Sequence, residues 1–104
     1  MNELAFKPVP SQPHDFTFLT NYAHVLLLIA NEPSILMREL ASQVGITERA
    51  VQRIVDDLTV ARYLDVTKDG RRNRYHVRME SPLRHELERH CKVGDLVGCV
   101  FPRR

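Results

Sequence analysis

Apolar side chains recur three and four residues apart from about Leu19 to Asn31, at Ala23, Leu26, Leu27 and Ala30, and Val25, Leu28 and Ile29 widen the stripe. This predicts a helix buried over most of its circumference. Asn31-Glu32-Pro33 ends it, because a proline pushes the residue before it out of the α region. Ser34 is then placed to cap a second helix, from Ile35 to roughly Val44, with Leu36, Leu40 and Ala41 inward. Gly45 supplies the conformation that a sharp turn between helices demands. Thr47 offers its hydroxyl as the cap of a third helix running to about Ala61. On that helix Ala50, Val51, Ile54, Val55, Leu58 and Ala61 share one side, and Arg49, Gln52, Arg53 and Asp56 the other.

The period then changes to two. Leu64 and Val66 alternate with Asp65 and Thr67, and Tyr75 and Val77 with Arg74, His76 and Arg78. Between the runs lies Lys68-Asp69-Gly70-Arg71-Arg72-Asn73, so the expectation is a β-hairpin with an exposed basic tip and an inward face on the helices. Ser81-Pro82, a cap followed by proline, predicts a fourth helix from Leu83 to near Val93, with Leu83, Leu87 and Cys91 on one side. The tail, from Gly94 onward, holds Leu96, Val97, Val100 and Phe101 with few local partners. At the other end Pro8, Pro10 and Pro13 make an irregular arm of residues 1–16. The expected division is this arm, a domain over 17–80, and a C-terminal helix and tail over 81–104 serving dimerisation.

Length and chemistry narrow the function. A chain of 104 residues has room for one core. The longest apolar run, Val25 to Ala30, falls far short of the roughly 20 residues that cross a bilayer, and no secretory signal opens the chain, so a cytoplasmic protein is expected. Cys91 and Cys99 cannot build a disulfide framework. His85, His90 and Cys91 would point in three directions on a helix, about 100° or more apart, which gives no metal site. The four glycines are scattered, with no P-loop or dinucleotide turn, and Asp56 and Asp57 diverge on a helix, so neither an enzyme nor a cofactor is expected. What remains is charge. Between Thr47 and Arg78, eight basic residues face five acids, whereas the rest of the chain has seven against eight. Positive charge is localised.

In the stretch Met37 to Val55, Leu40 and Val44 pack one helix, Ala41 is small where two helices cross, Gly45 turns, Ile46 plugs the corner, and Val51 and Ile54 anchor the next helix. The N-terminal half of that helix projects, and the major groove, about 12 Å wide, admits it. These residues resemble the helix-turn-helix pattern. With Tyr63-Leu64 and Gly70-Arg71-Arg72-Asn73-Arg74-Tyr75-His76-Val77 they resemble the winged helix-turn-helix domain of MarR-like and ArsR-like bacterial transcriptional regulators, over roughly Thr20 to Val77. No cysteine pair of the ArsR-like kind sits on the first three helices.

The resemblance implies an α+β fold, a three-helix core with a β-hairpin wing and here an additional C-terminal helix. It implies that the recognition helix 47–61 enters the major groove of double-stranded DNA, with Arg49, Gln52 and Arg53 at base edges. Thr47 and the amides at the start of that helix would hold a phosphate, and Ser34 a neighbouring one. The wing, 68–74, would reach the adjacent backbone or minor groove through Lys68, Arg71, Arg72, Asn73 and Arg74. A homodimer is expected from the unpartnered tail and from the symmetry of operators; no effector is named by the residues. Asp56 would repel phosphate unless it orients Arg49, Gln52 or Arg53, or accepts from a cytosine amine. The competing readings are a winged helix used for protein–protein contact, a sensor working through Cys91 and Cys99, RNA binding, and a merely solvated face with Arg53 paired to Asp56 or Asp57.

Overall fold

A computed structural model describes residues 16–102. The expectation of an irregular arm lies outside the described residues except for Phe16. Helix α1 spans Asn21–Asn31; Thr20 caps it, its hydroxyl accepting from the Ala23 amide at 3.3 Å. Five consecutive residues, Val25 to Ile29, are buried. A helix apolar on nearly every side must sit inside the fold, and α1 packs against α2 (Met37–Val44), α3 (Glu48–Val60) and the sheet.

Helix α2 begins later than its sequence indicates. Ser34 is not its cap. The first turn is closed by Glu39, whose carboxylate accepts from the Leu36 amide at 3.0 Å, and residues 33–36 run as a turn and extended segment. Here tertiary pairing overrides the capping signal: the Pro33 carbonyl accepts from the Tyr75 amide at 3.0 Å, fastening this segment to the outer edge of the hairpin. Gly45, at φ 85°, ends α2 in the left-handed region, and the Ile46 amide returns to the Ala41 carbonyl at 3.1 Å. On α3 the buried residues are Val51, Ile54, Val55 and Leu58, the helical stripe expected of it.

Strands β1 (Leu64–Asp69) and β2 (Arg72–Val77) pair antiparallel, Leu64 opposite Val77 and Asp69 opposite Arg72. The turn is therefore only Gly70-Arg71. Gly70 has φ 68° while Arg71 is not in the left-handed region, the signature of a two-residue hairpin turn with glycine first. Leu64, Tyr75 and Val77 are buried, but Val66, expected inward, is 36% exposed. The core ends at the base of the hairpin, and its outer half projects.

The C-terminal region departs from expectation. Residues 83–92 are not a helix: they hold a 3-10 turn at Glu86–Glu88 inside a loop closed by a bridge between Pro82 and Lys92. The Leu83 amide donates to the Cys91 carbonyl at 3.0 Å, and the Val93 amide to the Ser81 carbonyl at 2.9 Å. Leu87, expected on an inward face, is 78% exposed. The helix, α4, is instead Val93–Val100, starting where the expected helix was to end and running through the expected tail, and it packs on α1. Its Val93 is fully buried and acts as the anchor. Once that position is taken into the core, the apolar spacing Val93, Leu96, Val97 and Val100 decides the helix, and the preceding segment is left to span the gap. The architecture is an α+β winged helix-turn-helix with a C-terminal helix.

Candidate nucleic-acid interface

The start of α3 is built by Thr47, whose Oγ1 accepts from the Ala50 amide at 3.0 Å. Anchored by fully buried Val51, the helix presents Arg49, Gln52 and Arg53 to solvent, and all three are exposed. Neither guanidinium makes a hydrogen bond or ion pair among the described residues. The pairing of Arg53 with Asp56 or Asp57 that its spacing allows is not formed.

Both acids are occupied elsewhere. Gln52 Nε2 donates to Asp56 Oδ1 at 2.8 Å. A carboxylate only accepts, so this contact turns the amide nitrogen toward Asp56 and leaves Oε1 facing away. Asp57 accepts from the hydroxyl of Tyr22, on α1, at 2.5 Å. That bond, with desolvation and the charge of Asp57, pushes the Tyr22 phenol above its usual range, against the opposing charge of Arg53. Tyr22 is the residue that sequence reasoning misses; it lies 35 positions from Asp57, and no local pattern joins the two.

On the hairpin, the side chains of Lys68, Arg71 and Arg72 are exposed without an ion pair or hydrogen bond among the described residues. They surround the Gly70-Arg71 turn. Asn73 is half-buried and donates through Nδ2 to the Tyr75 hydroxyl at 3.4 Å. Arg74 donates to the Ser34 hydroxyl at 3.2 Å, so these two residues form a bridge between the wing and the segment before α2. Arg78, counted in the localised positive charge, is neutralised: its Nε and a terminal nitrogen each donate to Asp65 at 2.9 Å. This fork holds the Asp65 carboxyl below the usual carboxylate range. The uncompensated charge of the wing is thus concentrated at its tip.

Cys91 is half-buried and Cys99 exposed, both as free thiols. Among the described residues no group of His, Cys, Asp or Glu is arranged to hold a metal ion, and no helix is long and apolar enough to cross a membrane.

The arrangement is a projecting helix end with two free guanidinium groups and an oriented amide, beside a ribbon tipped with three free cations. Among protein-family models, the one described as MarR family matches residues 14–74. No curated protein matches the chain.

Proposed function

The chain belongs to the MarR family of winged-helix DNA-binding transcriptional regulators, whose model spans more than half of it, and from that premise we propose that it reads double-stranded DNA sequence-specifically as a homodimeric regulator in the cytoplasm. The members of that family are regulators rather than enzymes. The observation that carries the reading is that Arg49, Gln52 and Arg53 are exposed on the capped half of α3, with both arginines free of ion pairs among the described residues.

In this reading α3 lies in the major groove. Arg49 and Arg53 bond guanine, and Gln52 bonds adenine, its Oε1 accepting from the adenine amine while the second Nε2 proton goes to the ring nitrogen. The Thr47 end of α3 receives a phosphate, since its first amides and the helix dipole favour an anion. Lys68, Arg71 and Arg72 bring the wing to the adjacent backbone or minor groove. The Ser34–Arg74 bridge faces the phosphates beside them and fixes the angle of the wing. In the dimer the two copies of α3 stand about 34 Å apart, one turn of the duplex. The outward positions of α3 are mostly polar, which favours DNA over an apolar protein-contact surface.

The test is selection of bound duplexes from a random pool at two salt concentrations. A recovered motif, with affinity falling steeply as salt rises, is the expected result. Arg53→Ala should cost about 1–3 kcal/mol chiefly on the recovered site, and Arg72→Ala should weaken binding on every duplex. Equal losses from both on all duplexes would refute base reading by α3.

A further inference from the structure

Arg53 and Asp57 stand four residues apart on α3, the spacing at which opposite charges on a helix pair. They do not pair here: the Asp57 carboxylate instead accepts a hydrogen bond from the Tyr22 hydroxyl, at 2.5 Å, on a different helix. We propose that Tyr22 is a positioning residue for DNA reading, which holds Asp57 on α1 and thereby keeps the Arg53 guanidinium free for a base.

The geometry gives the reason. Tyr22 is the second residue of α1, two after the Thr20 cap; it is 42% exposed, and its hydroxyl reaches Asp57 on α3. Its hydroxyl meets Asp57 on the flank of α3, away from the buried stripe of Val51, Ile54, Val55 and Leu58. Asp56 is separately held by Gln52. With both acids hydrogen-bonded, neither forms an ion pair with Arg49 or Arg53, although both acids and Glu48 keep their negative charges. Remove the hydroxyl and Asp57 is released beside Arg53. The guanidinium must then leave an ion pair before it can bond a base, and a loose carboxylate sits near phosphate. The inference rests on the DNA-reading function proposed above.

The experiment is a mutant cycle on the full chain, with a labelled duplex recovered from the random pool as probe, at low salt where surface charges are least screened. Tyr22→Phe is expected to weaken binding about twofold, the size of an exposed helical ion pair. In the Asp57→Asn background, where no ion pair can form, Tyr22→Phe should cost nothing, and likewise in the Arg53→Ala background. A merely structural role predicts otherwise: the bond lost with the hydroxyl does not involve Arg53, so Tyr22→Phe would cost as much in the Arg53→Ala background as in the wild type. An equal cost of Tyr22→Phe in all three backgrounds, or no cost in any of them, overturns the proposal. Thermal melting of each variant confirms that it is folded. Failure of the wild-type chain to bind any duplex would overturn the function reading, and this inference with it; retained binding without the coupling overturns the inference alone.

Discussion

Arg62 has φ 69°, in the left-handed region that L side chains avoid. It closes α3: its amide donates to the Thr59 carbonyl at 3.1 Å, and the amide of Tyr63 to the Leu58 carbonyl at 2.9 Å. That is the double bond of a Schellman ending, here with buried Leu58 and Tyr63 at its two ends. Gly45 does the same work after α2 without strain and is readable in the sequence for that reason; Arg62 is not, because nothing about an arginine announces a left-handed turn. Arg62→Gly is therefore expected to raise stability by up to about 1 kcal/mol, the relieved strain being partly offset by the freer unfolded chain. Urea unfolding of the two proteins checks this, and a lower midpoint for the glycine variant would contradict it. The same scale holds Asp56. Asp56→Asn removes the acceptor-only partner that fixes Gln52, so nonspecific affinity should rise while discrimination at the Gln52 base falls, both readable from competition binding.

At the scale of elements, α3 and the hairpin are the most legible, because each follows from a local period with its own cap or turn: Thr47 for α3, and Gly70 for the hairpin. Helix α2 and the C-terminal helix are less so. Ser34 has the chemistry of a cap, yet the Pro33 carbonyl bonds Tyr75 and draws the segment out of helical conformation. Ser81-Pro82 has the chemistry of a helix start, yet the Pro82 carbonyl accepts from the Tyr63 hydroxyl at 2.5 Å, and the chain continues as a bridged loop. The hairpin is also stapled across its strands by Arg78 and Asp65. Asp65 has its folded pKa depressed, so the stability it contributes is present above the ordinary carboxylate value of about 4 and is lost as pH falls through the lower folded value. The melting temperature of Asp65→Asn should accordingly lie below that of wild type at neutral pH, and the gap should shrink as the solution is acidified below about pH 4. A gap independent of pH would assign the loss to packing instead of charge.

For the whole molecule, one core of α1, the buried faces of α2 and α3, the base of the hairpin and Val93 supports a single projecting interface. What the core leaves outside matters too. Phe16 and Phe18 meet edge to face at 5.5 Å before α1 and are exposed, and on α4 Val100 is 37% exposed. These surfaces support the homodimer reading, in which α4 contributes to the contact. Val100→Glu should then shift sedimentation toward the monomer and weaken duplex binding; a wild-type chain already monomeric at working concentration would remove that reading. The sequence by itself determined the helix-turn-helix, the wing and the residues that face outward on α3, since periodicity, glycine turns and hydroxyl caps act over a few residues. Tertiary structure alone decided that Val93 and not Leu87 is buried, that Ser34 meets Arg74, and that the Tyr22 hydroxyl meets Asp57. Those contacts join residues far apart in the chain, and only the packing of the core sets which polar groups come within hydrogen-bonding reach.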